Sequence, residues 1–152
     1  MDSRILIEFG LGVMVASICV VIQGIVLLAL FFLLKKYFEH IEDRFNLSRN
    51  LAIVVGVVWV LGIMHLAQVA VWGVAYRCLG CFGSFYQALY FSLVTYSTVG
   101  YGDLVAPDAW KLFGGVEALM GMLMFGWSAS FLFSTVSQFY KFRMRGHEQG
   151  GN

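Results

Sequence analysis

Four groups of residues have types and spacings that could do chemistry. The run Thr98-Val99-Gly100-Tyr101-Gly102-Asp103 places glycine at alternate positions. Glycine enters left-handed dihedrals at little cost, so such a run can aim its backbone groups in ways other sequences resist. Cys78 and Cys81 form a C-x-x-C pair. In an oxidising space they could bridge, and thiol exchange or a chemically idle pair are the rival readings. His65, Gln68 and Glu117 sit inside long apolar runs, where ionisable groups are expensive and default to functional hypotheses. Lys141, Arg143 and Arg145 directly follow the last apolar run, where they could touch anionic lipid headgroups or simply anchor the chain.

The elements that must position these residues follow from composition. The chain has 152 residues, 60% hydrophobic and 12% charged, with mean hydropathy +0.79. Soluble domains carry roughly 25% charged residues, so the composition argues against a soluble globular enzyme, and no enzymatic activity is expected. Net charge is +1, with no basic patch of the kind a nucleic-acid partner requires. Three stretches pass the threshold of about 18 apolar residues for a membrane helix. They run from about Phe9 to Leu34, Leu51 to Tyr76 and Leu112 to Phe139. The first is too long for a signal-peptide core and ends in Lys35-Lys36 rather than a cleavage site. It is read as a retained helix. Cys19 within it is expected to pack, and Gln23-Gly24 to make a polar contact with another helix.

Lys35, Lys36, Arg44 and Arg49 follow the first span and Lys141, Arg143 and Arg145 the third. The positive-inside rule then gives an outer N-terminus and a cytoplasmic C-terminus. Tyr76, Tyr86, Tyr90 and Trp110 suit the outer interface. Between the second and third spans, Phe85 to Tyr96 can form about three helical turns, roughly half a bilayer. A half-helix followed by extended chain reads as a re-entrant segment, tolerated at membrane depth only where it is buried in protein or lines water.

The hexapeptide that follows the half-helix closely resembles the selectivity filter of the potassium channel pore-module family. Thr95, Thr98, Val99, Gly100, Tyr101, Gly102 and Asp103 occupy the signature positions. The similarity extends over the second span, pore helix, filter and third span. It is closest to small prokaryotic channels, here with an added N-terminal helix. The resemblance implies an all-α membrane protein with three transmembrane helices, a re-entrant pore helix and an extended filter per subunit, closed as a fourfold homotetramer. Residues 1–50 would form the N-terminal helix and basic loop, 51–140 the pore module and 141–152 a short cytoplasmic tail, with disorder expected from Gly146 to Asn152. The implied function is passive, potassium-selective conduction across the cell membrane, of the prokaryotic inner-membrane type. Potassium is then cargo and no cofactor is expected. A non-conducting regulatory subunit that keeps the fold is the main alternative. A membrane redox protein using Cys78 and Cys81 is a third.

Within that resemblance, Thr98, Val99, Gly100, Tyr101 and Gly102 bind the ion, with metal contacts at the first four. Thr95, Ser97 and Asp103 support the filter. Val99 and Tyr101 are expected to pack against the pore helix. The third span becomes the inner helix. Gly121 or Gly126 could be its gating hinge, close helix packing being the competing reading. Phe131 and Phe133 could form a hydrophobic constriction. His65, Gln68 and Glu117 are expected to share a structural polar network, and pH sensing by His65 is the sharper alternative. No span repeats Arg or Lys at every third position, so no voltage sensor is read.

Overall fold

The computed structural model describes residues 3–39 and 47–149, and the side chains of 48–139 in the second segment. It is all-helical, with no strand among the described residues. Four α-helices follow in order: α1 (Ser3–Glu39), α2 (Leu47–Cys78), α3 (Phe85–Tyr96) and α4 (Lys111–Gln149). A single 3-10 turn, Asp108–Trp110, leads into α4. Three of these are long and apolar enough to cross a membrane. The short α3 coincides with the half-helix expected from the sequence. The long helices overrun their apolar stretches at both ends because hydropathy marks the hydrocarbon slab, not the last helical hydrogen bond. Helix α4 continues through Gln149, so the expectation of a disordered segment from Gly146 is overturned as far as that residue. Its 39 residues would span nearly 60 Å at about 1.5 Å per residue. Arg44 lies outside the described residues, as do the side chains of Lys141, Arg143 and Arg145.

Each helix end near α3 is fixed by local chemistry. Helix α2 stops in a Schellman cap. Gly80 takes φ +71°, the Gly80 amide donates to the Arg77 carbonyl and the Cys81 amide to the Tyr76 carbonyl. Only a residue tolerant of the left-handed region closes such a cap cheaply. Ser84 then opens α3 in extended geometry and accepts from the Gln87 amide at 3.2 Å. The N-terminus of α4 is capped from another helix, since the Glu8 carboxylate on α1 accepts from the Leu112 amide at 3.1 Å. Such orphan amides at helix starts need a partner when withdrawn from water.

The core sits where the four helices meet. Cys19, Trp72, Tyr76, Ala88, Tyr96, Phe113 and Met124 are buried there with Val15 and Ala16 of α1. Helix α1 is therefore built into the same core as α2, α3 and α4. Gly12 of α1 allows this approach, because a Cβ there would lie 3.1 Å from the Val116 side chain. A second cluster at the far end joins Leu27 and Leu30 to Val57, Leu61 and Met64, with Phe131 packed against it.

Candidate functional site

The chain leaves α3 in an unusual conformation. Thr98, Gly100 and Gly102 take φ +61°, +55° and +78°, and Thr98 is the sole non-glycine with positive φ among the described residues. A β-branched residue resists the left-handed region, so this placement is imposed by its surroundings. Three successive amides supply the constraint. Thr98 N–H donates to the Thr95 carbonyl at 2.9 Å, Val99 N–H to the Val94 carbonyl at 3.0 Å, and Gly100 N–H to the same oxygen at 3.2 Å. Alternating left-handed residues turn successive N–H groups to one side of the chain, as in backbone nests. Here that side is the C-terminal end of α3. Among the described residues, no backbone hydrogen bond outside the helices ends on a carbonyl of 98–102. A stack of unpaired carbonyl oxygens is suited to replace the hydration shell of a cation.

The other end of the loop is tied down by Asp103. Its Oδ2 accepts from the Tyr90 hydroxyl at 2.7 Å, and its Oδ1 from the Leu104 amide at 3.1 Å. The bond to Asp103 pushes the Tyr90 phenol above the usual tyrosine range. Thr95 supports the loop through its carbonyl. Ser97 does so less directly, because its hydroxyl turns back on its own helix, 2.7 Å from the Leu93 carbonyl. A cavity of about 220 Å³ lies behind the loop, lined by Tyr90, Phe91, Val94, Gly100, Asp103 and Lys111 among others.

Several sequence expectations require correction. Val99 and Tyr101 are 52% and 73% exposed in the single chain, so their own α3 does not by itself complete the cover expected for them. The expected network of His65, Gln68 and Glu117 is two separate clusters. Glu117 is fully buried, accepting from Tyr76 Oη at 2.6 Å and Ser92 Oγ at 2.5 Å. His65 and Gln68 instead meet Tyr96, Gln23 and Ser128. Glu117 and Ser128 are eleven residues apart on α4, about 16 Å along the axis, so one cluster cannot hold both. Tyr76, assigned to the interface, is instead fully buried beside Glu117.

Gly121 has a packing role. A Cβ there would overlap the Tyr96 carbonyl oxygen and lie 2.9 Å from its carbon. Gly126 meets nothing within 4 Å, and α4 is unbroken through both. Phe131 packs into the far cluster, whereas Phe133 is 75% exposed. Of the two constriction candidates, only Phe133 projects away from the subunit's own core. Cys78 and Cys81 are free thiols in this structure. They flank the Schellman cap, with Cys78 exposed and Cys81 half-buried against the core. Burial pushes the Cys81 thiol above its usual range. Tyr76, Tyr96 and Ser128 were missed as network members. Tyr76 reads as an interface aromatic and Tyr96 as the end of the half-helix, and Ser128 lies among several serines on α4.

Fold and site together define a membrane-type helical protein in which a half-length helix presents a carbonyl-lined loop. Residues 64–138, just under half of the chain, match the family model described as "Ion channel". The matched stretch takes in just under half of α2, all of α3, the loop and α4 as far as Gln138, and leaves α1 outside. No curated protein and no solved structure gave a match.

Proposed function

We propose that the protein is a passive potassium-selective channel that works as a homotetramer. The observation that carries the reading is the backbone of 98–102: left-handed residues at alternate positions, the amides of 98–100 bound to the end of α3, and carbonyls that accept no backbone hydrogen bond from outside the helices. One such strand cannot surround an ion. Four copies about a closed symmetry axis would form rings of oxygens, the expected symmetry type for a homo-oligomer. The exposed Val99 and Tyr101 side chains support the same reading, since neighbouring copies would cover them. The C-terminal end of α3 carries partial negative charge and favours a cation at the inner mouth, where Thr98 would add a hydroxyl.

The added specifics of this reading are a cell-membrane location of prokaryotic type with the N-terminus outside, lipid contact through Lys141, Arg143 and Arg145, and a hinge, if one operates in α4, at Gly126 rather than Gly121. No cofactor takes part. The test is cation flux through purified protein in liposomes, comparing potassium with sodium and adding barium. Potassium-selective flux, blocked by barium and abolished by Gly100→Ala, is the expected result, because alanine resists φ +55°. Flux that ignores ion identity, or survives Gly100→Ala, overturns the filter assignment. A verified tetramer silent across pH, voltage and lipid composition favours the regulatory-subunit reading.

A further inference from the structure

Five polar side chains from all four helices meet below the last turn of α3. Gln23 comes from α1, His65 and Gln68 from α2, Tyr96 from α3 and Ser128 from α4. Counting their protons leaves one arrangement. The Tyr96 hydroxyl donates its single proton to Gln68 Oε1. Its oxygen must therefore accept from His65 Nδ1 at 3.1 Å. His65 Nε2 then accepts from the Ser128 hydroxyl at 3.0 Å. Ser128 Oγ accepts from Gln23 Nε2 at 2.9 Å, and Gln23 Oε1 accepts from Gln68 Nε2 at 2.9 Å. The circuit closes: His65 to Tyr96 to Gln68 to Gln23 to Ser128 and back to His65. The two remaining amide protons go to the Cys19 and Met124 carbonyls, each at 3.2 Å. Every donor in the ring has an acceptor, and every member both gives and receives. Hydrogen bonds running in one direction polarise one another, and a fully satisfied buried network specifies a single geometry.

We infer that this ring is a positioning device for the filter and that Gln23 makes α1 a working part of it. The inference rests on the channel reading for its functional half. Tyr96 is held from two sides: its hydroxyl by the ring, and its carbonyl by the glycine face of α4 at Gly121. It is the last residue of α3. The carbonyls of Val94 and Thr95, within the same turn, hold the amides of Thr98, Val99 and Gly100. Where Tyr96 sits therefore sets where the loop's carbonyls point. None of the ring's hydrogen bonds ends on a residue of 98–103, so the ring acts through α3. They are positioning residues, and their loss should loosen the loop from a distance.

The test uses the full chain, reconstituted as the oligomer, with Gln23→Leu, Ser128→Ala and Ser128→Thr. Threonine keeps the hydroxyl that the ring needs. The first readout is amide hydrogen exchange at Thr98, Val99 and Gly100, independent of any current. Exchange there should speed up by about fivefold to tenfold in Gln23→Leu and Ser128→Ala, roughly the worth of one lost hydrogen bond, and recover in Ser128→Thr. The second is the potassium-to-sodium permeability ratio, which should fall by about the same factor in the first two variants and recover in the third. Unchanged exchange at those amides, or equal acceleration in Ser128→Thr, overturns the positioning role. So does an unchanged ratio in a conducting protein. A verified wild-type oligomer silent across pH, voltage and lipid composition counts against the channel reading alone, and the exchange data then decide the ring by themselves. If one variant fails to assemble, the other carries the comparison.

Discussion

Gly121→Ala tests whether the contact between α4 and the end of α3 governs the loop. The added Cβ would overlap the Tyr96 carbonyl oxygen and sit 2.9 Å from the carbonyl carbon and 3.3 Å from Cα. Bringing the carbon alone to ordinary contact at 3.4 Å needs 0.5 Å of separation (3.4 − 2.9), and the oxygen needs more. The obstacle is backbone, so no side-chain rotation relieves it. Tyr96 cannot easily retreat either, because Gln68 and His65 hold its hydroxyl. Overpacking of this kind costs about 1–3 kcal/mol, and the rigid neighbour puts it near the top of that range. Alanine regains about 1 kcal/mol of helix propensity over glycine, leaving a net loss of about 2 kcal/mol. For a chain of this size that lowers the apparent melting midpoint by about 4–8 °C. Potassium flux per reconstituted oligomer should fall with it, because the shift reaches the carbonyls that hold Thr98 to Gly100. Gly126→Ala is the control, since its Cβ would meet open space; it should leave the midpoint unchanged or slightly raised. Thermal melting and liposome flux of both variants decide the matter. A Gly121→Ala protein as stable and as conductive as wild type would refute the packing argument. Equal loss of flux in both variants, with stability intact, would instead point to bending of α4.

Three further outcomes are expected. Tyr90→Phe removes the bond to Asp103 and should loosen that end of the loop; its readout is a faster decline of potassium flux under sustained gradient, and a time course identical to wild type would dismiss this anchor. Glu117→Leu leaves the buried Tyr76 hydroxyl without its acceptor while Ser92 keeps the Val69 carbonyl, so melting should report a loss of about 1–3 kcal/mol, with Glu117→Gln milder because an amide oxygen can still accept. Cys78 should alkylate before Cys81, because it is exposed while Cys81 is half-buried. Burial holds the Cys81 thiol neutral at pH values where an ordinary thiol has begun to ionise, so its alkylation should keep accelerating with pH after that of a free thiol has levelled off. Mass spectrometry of timed reactions at several pH values follows both sites separately.

What could be read from the sequence, and what could not, divides along the range of the physics involved. The spans and the half-helix were legible because apolar run length is a local property, and α3 falls on the expected residues. Gly100 and Gly102 were legible because glycine marks left-handed backbone directly. Thr98 was not. Its φ of +61° is imposed by the hydrogen bond from its amide to the Thr95 carbonyl and by the two hydrogen bonds that follow it, and no residue type announces that. The same difference separates the ends of α2 and α4. Gly80 and the cysteines around it form a cap within six residues, whereas Glu8 reaches Leu112 across 104 positions.

The polar residues follow the same rule, and they explain why α1 looked separable from the pore module. Inside an apolar helix a glutamine or histidine announces that it has a partner, since an unsatisfied polar group at membrane depth is costly. It does not say which partner. Gln23, Gln68, His65 and Glu117 were all visible as demands, but grouping His65 and Gln68 of α2 with Glu117 of α4 merged two clusters that lie on different turns of α4. The hydroxyls that answer the demands, those of Tyr76, Ser92, Tyr96 and Ser128, carry no distinguishing sequence signal because tyrosine and serine are ordinary in membrane helices. Proton counting supplies what spacing lacks. Two glutamines, a histidine, a tyrosine and a serine satisfy one another completely in a single direction around the ring, and removing any one leaves a donor or an acceptor stranded. A helix that contributes one-fifth of such a ring is bound to the rest by more than apolar contact, which is why Gln23 joins α1 to the turn that holds Thr98, Val99 and Gly100.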